Sequence, residues 1–248
     1  MQKLREKIAV VTGASKGIGA ATAKQLAAAG ATVVVNYLSS RDDAERVVKE
    51  IVDAGGKAIA LGANVALESE VNGLFEEVKA KFGRVDILIN NAGVYSFSVL
   101  EEVTTDSYRR MYDINVLGVL QVTRSALPLF PEAGGAIVNI SSTASVTSPA
   151  MASVYASSKS AVDGITRSLA KELGGRNIRV NAINPSLIMT EGVDALANPD
   201  LEKQLIAVTP LGRAGQPDDV ALPAVFLASE DARFITGVTL LVSGGAGT

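Results

Sequence analysis

Short, β-branched apolar runs alternate with longer runs of helical spacing from one end of the chain to the other. Lys7–Thr12, Thr32–Asn36, Lys57–Leu61, Arg84–Asn90, Gly135–Ser141, Ile178–Ile183 and Val238–Val242 read as strands. Between them, residues 18–29, 42–54, 68–82, 105–128, 153–174, 200–207 and 218–228 carry apolar positions at helical intervals. Gly30, Gly55-Gly56 and Gly174-Gly175 stand where three of these helices must stop, and Pro128 and Pro131 end the fourth. Strands that are apolar throughout and joined by helices predict a parallel sheet covered on both faces, the doubly wound α/β class. About seven strands are expected, in a single Rossmann-type domain over 1–248. The stretch with least pattern, about 187–215, is a candidate substrate loop or lid, because ligands in this class bind beyond the carboxyl ends of the strands.

Composition narrows the chemistry. The 248 residues are 48% hydrophobic and 20% charged, with 23 basic against 26 acidic residues and a net charge of -3. That balance suits a chain with a large core and lacks the basic excess of a nucleic-acid binder. Histidine and cysteine are both absent. Disulfides, the usual zinc sites and hydrolases with a histidine base are thereby excluded, and no metal is expected. Proton transfer must fall to Asp, Glu, Lys, Tyr or water. The opening run MQKLREKIAVVTG is too short and too soon interrupted for a signal peptide, and no apolar stretch approaches membrane-spanning length. A cytoplasmic protein is expected.

The first strand is followed by Gly13, Ser15, Lys16, Gly17, Ile18 and Gly19 within TGASKGIG. Glycines at this turn let backbone approach a phosphate, and the following helix offers free N–H groups to an anion. The end of the second strand reads Asn36, Tyr37, Leu38, Ser39, Ser40, Arg41. A site for NAD places a carboxylate there for the ribose 2′-hydroxyl, and none is present. Asn36, Ser39, Ser40, Arg41 and Lys16 instead offer amide, hydroxyl and cationic donors to a 2′-phosphate, which points to NADP(H). The alternative is that Ser39 and Ser40 merely cap the next helix.

Tyr155 and Lys159 are four residues apart, on one face of a predicted helix. An ammonium group beside a tyrosine stabilises its phenolate and lowers its pKa. Such a tyrosine can give a proton to a carbonyl oxygen or take one back.

With TGASKGIG at 12–19, NNAG at 90–93, Asn115, NISS at 139–142, YASSK at 155–159 and NPSLIMT at 184–190, the chain resembles the classical short-chain dehydrogenase/reductases over essentially its whole length. The resemblance implies that Tyr155 is the general acid/base and that Lys159 binds the nicotinamide ribose. It implies that Ser142, rather than its neighbour Ser141, binds the substrate carbonyl oxygen, and that Asn115 holds a relay water. Asn90, Asn91, Ala92 and Gly93 would shape the adenine-ribose side, with Asn64 and Val65 near the adenine. Pro185, Ile188 and Thr190 would meet the carboxamide and pyrophosphate. Ser186 stands where the family has glycine, Asn64 where it has aspartate, and Ser243 where it has an acid.

The implied activity is NADP(H)-dependent reduction of a ketone or aldehyde, reversible as alcohol oxidation. Alternatives are a 3-oxoacyl-[acyl-carrier-protein] reductase, a sugar dehydrogenase, a non-catalytic nucleotide-binding protein and, least well supported, a methyltransferase. Arg176 and Arg179 could face an acidic carrier, but Leu127–Ala136 contains no basic residue. Tyr95, Phe97, Ser145 to Met151, Leu187, Met189 and Val193 would line a mostly apolar pocket for a small molecule. Neither nucleic acid nor membrane is expected as a partner, and the long helices at 105–128 and 153–174 would pair subunits into a homotetramer.

Overall fold

The computed structural model describes residues 3–191 and 199–247. Seven strands form one parallel sheet in the order β3-β2-β1-β4-β5-β6-β7. They are β1 (Ile8–Val11), β2 (Thr32–Tyr37), β3 (Lys57–Gly62), β4 (Ile87–Asn90), β5 (Gly135–Ile140), β6 (Ile178–Pro185) and β7 (Thr239–Val242). The helices are α1 (Gly17–Ala28), α2 (Arg41–Asp53), α3 (Glu68–Phe82), α4 (Thr105–Tyr112), α5 (Gly118–Ala126), α6 (Ala144–Thr147), α7 (Ser153–Leu173), α8 (Pro199–Ala207) and α9 (Pro217–Ala228). The doubly wound architecture is the one expected.

Alternate residues of each strand serve opposite faces. Ala9, Val11, Ile87 and Ile89 pack with Leu26 of α1, Val47 and Ile51 of α2, and Val220 and Leu227 of α9. Val10, Val34, Leu88 and Ile137 pack on the other face with Val71, Leu74 and Phe75 of α3, Val122 of α5 and Leu173 of α7. Strand order reverses between β1 and β4, paired Val11 to Ile89. The crevice above that switch point is where this class places its ligands.

Three departures have local causes. The strand expected from Arg84 starts at Ile87, because Asp86 turns to accept from the Ile8 N–H at 2.9 Å and from the Arg84 guanidinium at 3.0 Å. The helix expected over 105–128 is broken by a π turn, Asp113–Leu117, and ends in a 3-10 turn at Leu127–Leu129. Before α7 the chain inserts α6, followed by Ser148 and Met151 at φ 44° and 64°, left-handed positions that non-glycine residues seldom adopt.

The two ends of the segment expected as a lid are hydrogen-bonded to each other. Met189 donates to Gly215 O at 2.9 Å, and Gly215 to Leu187 O at 2.9 Å. Val193 lies outside the described residues. No helix among those described is long and apolar enough to cross a membrane.

Candidate active site

The β1–α1 turn is fastened to the end of β4 by side chains on both sides. Thr12 Oγ1 accepts from the backbone N–H of Asn91 and of Ala92, each at 3.0 Å. Asn91 Nδ2 donates to Thr12 O and Gly13 O, both at 2.9 Å. A Cβ on Gly13, at φ 61°, would lie 2.9 Å from Ala92 Cα, so only glycine fits there. Gly19 likewise has no room, with the Asn91 amide and Ala14 Cα against it. Ser15 is buried, Ile18 packs into the core beneath α1, and Lys16 is the exposed N-cap residue of α1.

Gly17, at φ 56°, is the first residue of α1, and its N–H donates to the Glu191 carboxylate at 3.2 Å. A helix N-terminus with free N–H groups favours such an anionic oxygen. A Cβ on Gly17 would come within 3.3 Å of the Thr190 methyl, so Thr190 reaches the same corner. Pro185 ends β6 and Ile188 is buried beneath the loop.

Asn36 is placed differently from the expectation. It is 1% exposed and donates to Leu61 O and Ala63 O at 3.2 Å each, while its oxygen accepts from the Gly13 N–H at 3.3 Å. Its amide is used in tying three backbone segments together, so it does not face a 2′-phosphate. Tyr37 is half-buried, and Ser39 and Arg41 are exposed. Ser40 is the N-cap residue of α2, yet its side chain makes no capping bond, contrary to the capping alternative. Arg41 Nε bonds Glu45 at 2.7 Å. Asn64 Oδ1 accepts from the Ala66 N–H at 3.0 Å, and Val65 is buried, its carbonyl held by Gln121 at 2.9 Å.

Asn90 also departs from its expected place. It is 3% exposed and donates to Thr123 Oγ1 at 3.1 Å and Asn139 Oδ1 at 2.9 Å, inside the molecule rather than beside a ribose. Gly93 does face the centre, since a Cβ there would lie 3.4 Å from Asn115 Oδ1 and 3.5 Å from Lys159 Nζ.

The first turns of α7 carry Tyr155 and Lys159. Lys159 is 6% exposed, and its Nζ donates to Ile140 O at 2.9 Å. Burial pulls its pKa from 10.5 down to about 8, opposed by the charge of Asp163. Nζ stands 5.9 Å from the Tyr155 ring centre. The Tyr155 hydroxyl is raised above its usual value of 10 by burial, against the lowering effect of a hydrogen bond with Ser142. This is opposite to the direction expected from helical spacing alone, because burial of the hydroxyl outweighs the hydrogen bond that favours its charged form. Ser142 Oγ accepts from the Ala144 N–H at 3.1 Å, whereas Ser141 is buried and donates to Lys159 O at 3.2 Å. Ser142 is thus the serine beside Tyr155. Asn115 sits in the π turn, where its amide donates to Val94 O at 2.9 Å and Ser158 Oγ at 3.1 Å and accepts from the Val94 N–H at 2.8 Å.

Above Tyr155 lie Tyr95 and Phe97, with ring centres 6.3 and 6.0 Å away and edge-on. Ser98 N–H donates to Met151 O at 2.8 Å, joining the two loops that border this opening. Leu187 and Met189 are half-buried. Ser148, Pro149 and Ala150 line a groove along α7 with Ser153, Ser157 and Ser160, a lining that includes neither Tyr155 nor Ser142. Sequence reasoning passed over Thr12, whose only signal was a hydroxyl at a strand end, and Asp163, an acid at an otherwise buried helical position.

A family model described as Enoyl-(Acyl carrier protein) reductase matches residues 13–247. An uncharacterized oxidoreductase of Methylorubrum extorquens is 51% identical over 99% of both chains. The 3-oxoacyl-[acyl-carrier-protein] reductase FabG of Staphylococcus aureus is 42% identical over 96% of this chain and 97% of its own. Among solved structures, a short-chain dehydrogenase/reductase from Serratia marcescens superposes with a TM-score of 0.94 at 37% identity, covering 99% of this chain and 100% of that one. The angucycline C-6 ketoreductase LanV with bound NADP gives 0.94 at 36% identity, covering 99% and 97%.

The burial of Lys159 has a measurable consequence for stability. A fall from 10.5 to about 8 corresponds to roughly 3 kcal/mol against the charged form, and losing the bond to Ile140 would cost about 1 kcal/mol. Lys159→Met is therefore expected to raise the unfolding free energy at pH 7 by about 2 kcal/mol. The penalty is fully present below pH 8 and relieved as pH rises towards 10.5, so the variant's advantage shrinks across that window. Urea denaturation at pH 7 and pH 9.5 checks this, and a variant less stable than the parent at pH 7 would contradict it.

Proposed function

The chain belongs to the short-chain dehydrogenase/reductase family of oxidoreductases, and we propose that it is an NADP(H)-dependent carbonyl reductase that interconverts a ketone or aldehyde and its alcohol. The observation that carries this reading is Tyr155, hydrogen-bonded to Ser142 and set above a buried Lys159 at the carboxyl edge of the sheet. The residues present fit a dinucleotide: the α1 N-terminus already accepts a carboxylate, and the glycine turn leaves no room for side chains. When bound, the nicotinamide supplies or removes the hydride.

The chain's own groups handle the oxygen and its proton. A substrate carbonyl oxygen between Ser142 and Tyr155 would accept a hydrogen bond from each hydroxyl. Ser142 stabilises the negative charge that develops there. Tyr155, kept protonated by its burial, delivers its proton to that oxygen. Lys159 offsets the charge left on the phenolate and is assigned the ribose hydroxyls. Asn115 is assigned the proton relay to solvent. Because its amide is already bonded to Val94 and Ser158, the relay water would sit on the main chain of the π turn. Tyr95, Phe97, Leu187 and Met189 favour a substrate with apolar groups.

Preference for NADP(H) rests on the end of β2. Tyr37 holds in the sequence the place of a ribose-binding carboxylate, and Lys16, Ser39, Ser40 and Arg41 are the donors assigned to the 2′-phosphate. LanV, with NADP bound, supports the same choice. Gly13, Gly17, Gly19, Asn64, Val65, Asn91, Ala92, Gly93, Pro185, Ile188 and Thr190 complete the proposed cofactor surface.

The second reading, reduction of a 3-oxoacyl thioester on acyl carrier protein, is favoured by the likeness to FabG. Against it, Arg179 is half-buried and donates to Leu227 O at 2.6 Å and Ser229 O at 3.0 Å, which leaves Arg176 as the exposed cation of that pair. The molecule is further proposed to be a homotetramer with D₂ symmetry, through apolar residues exposed outside the site such as Leu117, Leu120, Phe234 and Leu240.

Three measurements test these assignments. NADPH oxidation is followed with acetophenone, ethyl 3-oxobutanoate, a 3-oxoacyl thioester and, in reverse, glucose with NADP. Tyr155→Phe should lower turnover at least ~100-fold, the scale of a lost general acid, while still binding NADPH. Near-parental turnover would sink the mechanism. In kcat/KM the parent should prefer NADPH over NADH by about tenfold or more, from charge-assisted contacts to the phosphate. Tyr37→Asp should reverse that order, and equal use of both cofactors by the parent would contradict the assignment. Light scattering at micromolar concentration should give about four times the 25.6 kDa chain mass, and a monomeric mass would refute the tetramer.

A further inference from the structure

One buried acid plays no part in the chemistry described so far. Asp163 lies on α7 one turn beyond Lys159 and two beyond Tyr155, among the buried positions Val162, Thr166 and Ala170. It is 6% exposed. Its Oδ2 accepts from Asn184 Nδ2 at 3.0 Å. Its Oδ1 and the Oδ1 of Asn184 are both buried, and neither has a hydrogen-bond partner among the described residues. A buried carboxylate with an oxygen lacking a donor destabilises the fold by about 1–3 kcal/mol or more. Such a breach of local rules is expected where function requires it.

The neighbours of Asp163 show what it serves. The same Asn184 amide that reaches it also donates to Ser142 O at 3.2 Å and Ser145 Oγ at 2.9 Å. One amide at the end of β6 therefore holds both Asp163 and the turn carrying Ser142. In the other direction, Asp163 is the group whose charge favours the ammonium form of Lys159, whose own hydrogen bond runs to a neutral carbonyl.

Other ionisable groups on the elements packed around α7 point elsewhere. Arg109 and Arg110 of α4, Asp113 of the π turn and Arg167 of α7 are exposed. Arg176 donates to Leu127 O, and Arg179 of β6 to Leu227 O and Ser229 O. The segment α6 carries no ionisable side chain.

We propose that Asp163 is a positioning residue of this site: its carboxylate, buried one helical turn from Lys159, is the anion that accompanies the Lys159 charge and, through Asn184, the anchor of the turn that presents Ser142. The proposal rests on the reading of Ser142, Tyr155 and Lys159 as the reacting groups. Reduction requires Lys159 charged, so turnover falls as pH rises through its pKa. Removing the negative charge of Asp163 lowers that pKa and moves the alkaline limb of kcat to lower pH.

The test uses the full chain with NADPH and whichever of acetophenone and ethyl 3-oxobutanoate the parent reduces faster. Asp163→Asn keeps the shape and an acceptor for Asn184 but not the charge. It is expected to lower kcat about tenfold or more and to move the alkaline limb down by about half a pH unit or more. NADPH affinity, read by fluorescence, should change less than about threefold, and Asp163→Glu should restore the parental limb. An Asp163→Asn protein with the parental limb overturns the proposal, as does a Glu variant whose limb matches that of Asn. If Asp163→Asn does not fold, Asp163→Ser is read in the same way. Failure of both to fold marks a scaffold residue and overturns the assignment too. Tyr155→Phe in the same assay separates the two levels, since retained turnover there defeats the underlying reading whatever Asp163 does.

Discussion

An ammonium group held at 6% exposure is the constraint around which this site is arranged. A buried charge must be hydrogen-bonded and offset or it gives up its proton. Lys159 meets that demand from two directions. β5 ends with the Ile140 carbonyl turned towards Nζ, and α7 brings Asp163 one turn further on, while Gly93 has no Cβ to stand beside the ammonium. The π turn between α4 and α5 carries Asn115, whose amide bonds both backbone groups of Val94. π turns of this kind are frequent at functional sites.

The nucleotide end is built on different physics. There the groups are backbone, and glycines at 13, 17 and 19 let chain segments approach where a Cβ would collide. Thr12 and Asn91 join that turn to the end of β4, so the anion-accepting end of α1 and the corner carrying Gly93 form one unit. The sheet's strand-order reversal brings these two parts together, and the Pro185–Thr190 loop closes over them from β6. The proposed oxygen site at Ser142 and Tyr155, on the same edge as the helix end that donates to the Glu191 carboxylate, suits the proposed carbonyl reduction by a phosphate-bearing dinucleotide.

Much of this was legible in residue order. Strands such as Thr32–Tyr37 and helices such as Glu68–Phe82 lie within a residue or so of the positions their periodicity predicts, since burial on both faces leaves a strong signal. Tyr155, Lys159 and the glycine turn were visible for a similar reason, as local spacing on one element. What escaped depends on direction in three dimensions. Asn36 and Asn90 sit in the right motifs, yet their side chains turn inward to meet backbone and side-chain groups of distant segments. The π turn at 113–117 has a helical pattern on either side and no marker of its own. The raised pKa of Tyr155 depends on burial, and spacing along a helix says nothing of burial.

Under the proposed function this site transfers hydride from NADPH to a carbonyl carbon while its own hydroxyls handle the oxygen. The most direct measurement is product analysis after turnover with NADPH carrying deuterium at the transferable C4 position. One deuterium is expected on the carbinol carbon of the alcohol, in a single stereochemical sense, with NADP formed in equal amount. NADPH consumed without deuterium in the alcohol, or no consumption with any ketone, ketoester or thioester offered, would contradict it.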